Sequence, residues 1–355
     1  MGLYNIARSL LFTLPPETAH GLAIFGLKHG LVLADHHRDD DCLSLELWGM
    51  NFSNPVGLGA GFDKNAEVPC PMLAQGFGFV ETGTVTPKPQ TGNPKPRLFR
   101  LAEDRAVINR MGFNNMGLDV YANNLKRRAG LGKRGIVGAN IGANKDSDDP
   151  IQDYVTCLKR LLGLASYFTI NISSPNTPGL RKLQGREALD ELLGRLVAVR
   201  SGANDLENIP PLFVKIAPDL DQGECADIAE ISLKHGMDGM IISNTTIGLR
   251  DQLSSEFAGE SGGLSGAPLF DLSTEVLSHM YRLTDGKIPL IGVGGIQSGR
   301  DAYRKITAGA SLVQLYSALV FHGPGLVRKI KLELTEALRE DGYSSIRDAI
   351  GSDHK

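Results

Sequence analysis

Residues 288–295 read IPLIGVGG, and residues 310–317 read ASLVQLYS. Both are near-continuous apolar runs that end in glycine or hydroxyl residues. A strand covered on one face alternates apolar and polar positions, whereas a parallel strand covered on both faces has no need to. Working outward, the same kind of run recurs at 54–61 (NPVGLGAG), 77–85 (FGFVETGTV), 135–142 (GIVGANIG), 167–173 (YFTINIS), 212–218 (LFVKIAP) and 239–245 (GMIISNT). Helical patterns lie between them, for example at 151–164, 186–200, 221–235, 298–308 and 324–340. In 221–235, Asp219 or Asp221 can cap the start, Ile228, Ile231 and Leu233 fall near one side, and Gly236 follows the end. About eight strand–helix units in succession predict a closed (β/α)8 TIM barrel, with a doubly wound open sheet as the alternative.

Composition narrows the partners. The 355 residues are 42% hydrophobic and 22% charged, an ordinary globular balance that fits one large domain or two smaller ones. A net charge of −3 gives no electrostatic case for nucleic acid. Cys42, Cys70, Cys157 and Cys225 are scattered without metal-ligand spacing, so they read as reduced thiols and no metal is expected. The longest apolar stretches, such as GLAIFGL at 21–27, fall far short of the roughly 20 residues that span a bilayer. The first twenty residues have neither the apolar centre nor the cleavage site of a signal peptide, and the sixth position lacks the Ser or Thr of a myristoylation signal.

In a barrel of this kind, chemistry sits at the carboxyl ends of the strands. Those ends carry Lys64, Thr84, Asn140, then Asn171, Ser174 and Asn176, then Lys215, Asn244 with Thr245, GVGG, and Tyr316 with Ser317. The fourth end continues as NISSPNTPGLR (171–181), which reads either as an ordinary turn or as a site that touches a small polar ligand through Ser174. One Asn or Lys in an apolar strand is usually a satisfied structural group; several converging on one rim favour a ligand. Gly294 and Gly295 allow backbone N–H groups to approach an anion, and Ser298 or Asp301 begins the helix behind them. GGLSG at 262–266 adds a second glycine cluster. With two strand lysines, the pattern suits a phosphorylated cofactor with an electron-rich ring, and FMN is the natural candidate. No nicotinamide fingerprint is present.

The motifs AGFDK (60–64), ETGTVTPKPQTGNPKPR (81–97), NRMGFNN (109–115), NISSPNTPGLR (171–181), VKIAPD (214–219), NTT (244–246), GGLSG (262–266) and GVGGI (292–296) together resemble the dihydroorotate dehydrogenases, and within them the quinone-dependent, membrane-associated class. The resemblance runs from about residue 5 to residue 340 with the motifs in order. It departs at Ala143 in NIGANK, where the family often has Lys.

That resemblance implies oxidation of (S)-dihydroorotate to orotate in pyrimidine synthesis, with Ser174 as the base at C5 and the C6 hydride passing to flavin N5. The soluble class has Cys at this position. It further implies that Lys64, Asn109, Arg110, Met111, Gly112, Phe113, Asn171, Asn176, Asn244 and Thr245 bind substrate. Ala60, Gly61, Phe62, Asp63, Lys64, Thr84, Asn140, Asn171, Lys215, Ser243, Gly266, Gly295, Tyr316 and Ser317 would hold FMN. Asn suits a pyrimidine because its amide both donates and accepts. Ser174 and the N-terminal extension count against the soluble fumarate- or NAD-linked class. The missing basic surface and catalytic Cys count against a tRNA dihydrouridine synthase, and a phosphosugar-binding barrel would not need Ser174 or the paired lysines.

Three segments are expected: a helical pair at 1–40, the FMN barrel at 41–340 and a tail at 341–355. Leu3, Ile6, Ala7, Leu10 and Leu11 form one apolar helical face; Pro15 and Pro16 break the chain before a second helix carrying Leu22, Ala23, Phe25 and Leu27. Arg8 and Lys28 flank this surface. Such a pair can simply cap the barrel; the resemblance implies instead a lid on an anionic membrane surface that admits a quinone (ubiquinone or menaquinone), with His20, Arg100 and Tyr316 at its inner end. The expected location is peripheral, on the cytoplasmic face of a bacterial cell membrane.

Overall fold

The computed structural model describes residues 8–9, 11–132, 135–203 and 208–355. Its strands are β1 (Leu45–Leu47), β2 (Met50–Phe52), β3 (Val56–Leu58), β4 (Phe79–Val85), β5 (Leu98–Leu101), β6 (Ala106–Asn109), β7 (Ile136–Ile141), β8 (Tyr167–Asn171), β9 (Leu212–Ile216), β10 (Gly239–Ile242), β11 (Gly263–Gly266), β12 (Leu290–Val293) and β13 (Ala310–Leu315). Eight of them close into a parallel barrel in the order β3–β4–β7–β8–β9–β10–β12–β13. Each apolar run singled out in the sequence contains one barrel strand, so the closed barrel stands and the open sheet does not. The continuous apolar character has its cause in burial: every residue of β4, β8, β9, β10 and β13 is buried.

Helices cover the barrel as the spacing predicts, over Pro150–Leu161, Arg186–Ser201, Gln222–Lys234, Gly299–Thr307 and Leu326–Glu340. Of the two candidate caps near 220, Asp221 is the one used. Its carboxylate accepts from the Glu224 N–H at 2.8 Å, and Glu224 reciprocates at the Asp221 N–H. Ser298 caps Gly299–Thr307 by accepting from the Asp301 N–H at 3.1 Å.

The amino-terminal end of the barrel is plugged by rings. Phe52 meets Phe79 at 5.5 Å and Tyr167 meets Phe213 at 4.8 Å between centroids. Room for them comes from Gly57 and Gly138, where a Cβ would lie 2.3 Å from the Phe79 ring and 2.1 Å from the Tyr167 ring. The β1–β2 hairpin closes this end, and Trp48 donates from Nε1 to Asp238 O at 2.7 Å.

Two additions shape the opposite end. A three-stranded antiparallel sheet, β11–β6–β5, has a small core of its own built from Phe99, Leu101, Ala106, Ile108 and Leu264. The helix Pro16–Lys28 begins after Pro15 as expected and is tied to this end by Glu17, which receives Arg97 at 2.6 Å and Lys95 at 3.5 Å. Arg100 donates to the carbonyls of Leu11, Phe12 and Leu14, and its guanidinium lies over the Phe12 ring at 4.5 Å. Leu22, Phe25, Leu31 and Leu33 remain 49%, 53%, 71% and 87% exposed. The expected apolar face at Leu3, Ile6, Ala7 and Leu10 lies outside the described residues. Among those described, no helix is long and apolar enough to cross a membrane. At the other terminus, Ile346 and Ala349 are buried, and His354 stacks on Tyr281 at 5.0 Å.

Candidate active site

A cavity of about 720 Å³ opens at the carboxyl ends of the barrel strands, beneath the β11–β6–β5 sheet and the helix Pro16–Lys28. Its wall divides by chemistry. One side is glycine and hydroxyl: Gly266, Gly294, Gly295, Ser265 and Ser317, the two serine hydroxyls meeting at 2.6 Å. Gly294 and Gly295 take φ of 110° and 75°, backbone that a side chain disfavours. The Gly295 N–H has no acceptor among the described residues, and it borders the cavity. A loop with open N–H groups ahead of a capped helix fits a phosphate.

The floor is a network of amides and hydroxyls. Asn140 donates to Glu81 Oε1 at 2.8 Å and accepts from Thr84 at 2.5 Å. Asn171 donates to Thr84 at 2.9 Å and to Asn140 at 3.2 Å. Asn244 donates to Ser173 Oγ at 3.0 Å, and Asn176 donates to Asn109 Oδ1 at 3.1 Å. These contacts fix the amides: Asn109, Asn176 and Asn244 keep hydrogen-bonding capacity beyond them, whereas Asn171 spends both donors on Thr84 and Asn140 and its oxygen on Ser173 and Asn244. The base of the network is Glu81, wholly buried, which also receives Tyr167, Thr169 and Gln314.

Two lysines reach the cavity wall. Lys64 donates to Gly61 O at 2.8 Å, and burial pushes its ammonium down to about 8. Lys215 is buried in β9, and its ammonium has no hydrogen-bond partner among the described residues. Burial pushes it down too, while the charge of Glu81 pulls it up. An ammonium held like this, facing a cavity, is suited to negative charge.

Ser174 is buried at the rim, and its hydroxyl oxygen accepts from the Asn176 N–H at 3.3 Å. Its loop is fastened by Arg181, which donates to Ser173 O and to Thr245 O at 3.1 Å each and pairs with Asp219 at 2.9 Å. The 171–181 stretch is therefore a turn that also borders the cavity.

Most of the expected site residues line this one cavity: Ala60, Gly61, Phe62, Lys64, Thr84, Asn109, Met111, Gly112, Phe113, Asn171, Ser174, Asn176, Lys215, Ser243, Asn244, Thr245, Gly266, Gly295, Tyr316 and Ser317. Asp63, Arg110 and Asn140 do not. The Asp63 carboxylate turns away to accept from the N–H groups of Glu67 and Val68 at 2.8 and 2.7 Å, and burial raises it to about 6. Arg110 pairs with Glu260 at 2.6 Å and lies over Phe99. Asn140 sits one layer below, between Glu81 and Thr84. Ala143 is buried and lines no part of the cavity.

Towards the mouth the wall becomes apolar, with Leu11, Phe12, Ala19, Ala23, Leu31, Leu33, Met72 and Leu98. His20, Arg100 and Tyr316 are among its polar members. Burial, reinforced by the charge of Lys64, pushes His20 down to about 3, and burial raises the Tyr316 phenol. Sequence reasoning missed Glu81, Gln314, Ser173, Ser265 and Arg181. Glu81 carried a signal, a carboxylate inside the apolar run FGFVETGTV, and Arg181 ended the motif NISSPNTPGLR, though the sequence did not say what it fastens. Among the described residues no cluster of His, Cys, Asp or Glu could hold a metal ion.

Known proteins resemble this chain over almost its whole length. Residues 42–338 match the family model described as dihydroorotate dehydrogenase. The dihydroorotate dehydrogenase (quinone) of Azorhizobium caulinodans is 55% identical over 354 residues, covering 99% of each chain. That of Xanthobacter autotrophicus is 54% identical over 355 residues, again covering 99% of each. Among solved structures, the DHODH of Eimeria tenella in complex with ferulenol aligns with a TM-score of 0.93 at 44% identity over 96% of each chain. The chain belongs to the dihydroorotate dehydrogenase family, in the quinone-dependent class that these relatives' names define.

Proposed function

We propose that this enzyme oxidises (S)-dihydroorotate to orotate in pyrimidine synthesis, with FMN as its cofactor and a membrane quinone as the final acceptor. The observation that carries this reading is the convergence of Ser174, four asparagines and two lysines on the wall of the cavity that also holds the Gly294–Gly295 loop.

The residues present fit FMN. The N–H of Gly295 faces a site for its phosphate, Ser265 and Ser317 offer hydroxyls beside it, and Lys215 supplies an unpaired ammonium for the ring. When bound, FMN supplies the acceptor for two electrons and the C6 hydrogen of dihydroorotate.

The chain's own residues do the rest. Lys64 holds the substrate carboxylate, and the asparagines read the alternating N–H and C=O edge of the pyrimidine. Ser174 takes the C5 proton. A serine hydroxyl is a weak base at neutral pH, so the step relies on the acidity of a proton α to the ring carbonyl and on an oriented hydroxyl. The contact from the Asn176 N–H orients that oxygen, and Thr245 provides a neighbouring hydroxyl. Loss of the proton from C5 and of a hydride from C6 leaves the C5=C6 double bond of orotate.

The apolar mouth suits a quinone, and the exposed Leu22, Phe25, Leu31 and Leu33 suit reversible contact with an anionic membrane surface on the cytoplasmic side. Residues 1–40 then act as a lid distinct from the barrel. The test is direct: purified protein should carry a visible flavin spectrum that dihydroorotate bleaches under anaerobic conditions. Re-oxidation should be fast with a quinone and slow with fumarate or NAD. A protein that stays unbleached refutes the reading.

A further inference from the structure

Lys305 is a cation that the reaction above does not use. It lies in the helix Gly299–Thr307 and is fully buried, with no carboxylate paired to it among the described residues. Its ammonium nevertheless has polar and aromatic neighbours for its three N–H bonds. Two go to Ser273 Oγ and Thr274 Oγ1 at 2.8 and 2.9 Å, and the ring of Phe270 lies 4.9 Å from Nζ. Burying an ammonium among neutral groups is costly, and hydroxyls recover only part of that cost.

The position of those hydroxyls gives the cation a use. An ammonium only donates, so Ser273 accepts from it and must spend its own single hydrogen elsewhere. Two acceptors are in reach, Phe270 O at 3.1 Å and Gly294 O at 3.3 Å. Phe270 O already takes the Thr274 hydroxyl at 2.6 Å, which leaves Gly294 O as the better acceptor. The Gly294–Gly295 peptide is planar and trans, so its N–H points opposite to its C=O. With Gly294 O drawn back to Ser273, the Gly295 N–H is turned the other way, towards the cavity. Nothing can intervene, because a Cβ on Gly294 would lie 2.6 Å from Ser273 Oγ and one on Gly295 would lie 2.5 Å from Phe270 Cβ.

We propose that Lys305 is a positioning residue for the flavin phosphate: through Ser273 it sets the Gly294–Gly295 peptide, and its buried charge is complemented by the phosphate on the far side of that loop. This inference rests on the FMN reading above. The charged groups that bear on Lys305 are Asp301 and Asp271, which favour its charged form, and Arg304, which opposes it; burial outweighs them and pushes it down to about 7. A phosphate beyond the loop shifts that balance back towards the ammonium.

The test separates phosphate recognition from general damage. Flavin is stripped reversibly from the full-length enzyme, and FMN or riboflavin is titrated back while flavin fluorescence is followed. Riboflavin shares the ring and lacks the phosphate. Lys305→Met should weaken FMN by about tenfold or more and leave riboflavin within about twofold. Ser273→Ala, which keeps the cation but cuts its link to Gly294, should shift the same ratio in the same direction. It carries the test alone if the Met variant does not fold. An unchanged FMN-to-riboflavin ratio in the variants, or a parallel loss of both flavins, overturns the proposal. A wild-type enzyme that does not prefer FMN to riboflavin would instead overturn the cofactor reading, and this inference with it.

Discussion

Raising the pH from 7 to 9 should release orotate from this enzyme through one residue. Lys64 is the ammonium assigned to the substrate carboxylate, and burial pushes it down to about 8, with Glu17 pulling it up and Arg97 pushing it further down. At pH 7 about nine in ten Lys64 side chains carry the proton, and at pH 9 about one in ten. If only the ammonium binds the carboxylate, the apparent dissociation constant of orotate rises about tenfold across that interval, bending near pH 8. The assay is the change in flavin absorbance on titrating orotate into the loaded enzyme at each pH, beside Lys64→Met. The variant should bind weakly throughout and show no bend. Parallel pH profiles for the two proteins would refute the assignment, because the titration would then belong to orotate or another group. The same burial has a stability signature with a definite sign. Between about 8 and 10.5 the unfolded chain keeps the Lys64 proton and the folded one has lost it, so ligand-free stability gains with pH relative to Lys64→Met.

Ser174→Ala should keep its flavin and slow anaerobic flavin reduction by roughly 10²–10⁴-fold, the usual range for a general base; near wild-type single-turnover rates would remove Ser174 from the chemistry. Asn176→Ala should raise the dihydroorotate KM and lower kcat with flavin retained, whereas Lys215→Ala should weaken flavin occupancy or lower its reduction potential. Equal flavin loss in both would mean that the cavity is not divided as described. The double variant Phe25→Glu, Leu33→Glu places charge on exposed apolar positions, so it should abolish binding to anionic liposomes and slow turnover with long-tailed quinones while dihydroorotate still bleaches the flavin. Full turnover with such quinones would show that their entry does not depend on this surface.

How far the sequence could be read depended on where each contact is made. Barrel strands such as Leu212–Ile216 were legible because burial on both faces leaves a continuous apolar run, against which Lys215 stands out. The β11–β6–β5 sheet was not, since its strands are four residues each and β6 pairs with β11 across some 150 positions, Asn109 opposite Gly263. Motif membership placed Asp63, Arg110 and Asn140 at the site but could not say where their side chains point. Asp63 was taken by the N–H groups of its own turn, Arg110 by Glu260, and Asn140 by the layer beneath the rim. Lys305 had no motif at all, because its meaning depends on a serine 32 positions away.

The mouth of the cavity shows the same dependence and gives the quinone reading its physical basis. In sequence, His20, Arg100 and Tyr316 are a base, a cation and a phenol scattered over some 300 positions. In the fold, burial pushes His20 down to about 3, so it is a neutral imidazole near pH 7, and the same burial keeps Tyr316 protonated. Arg100 spends hydrogen bonds on the carbonyls of residues 11, 12 and 14, holding the N-terminal segment over the opening. The mouth thus offers hydrogen bonds within an apolar wall, and its Arg100 guanidinium is already engaged with backbone. On the quinone reading, such a wall would disfavour a charged acceptor such as fumarate, whose carboxylates would lose water against apolar side chains. It would suit an uncharged ring with two carbonyl oxygens and an aliphatic tail, for which the apolar residues would recover surface from water and the imidazole and phenol would offer the hydrogen bonds.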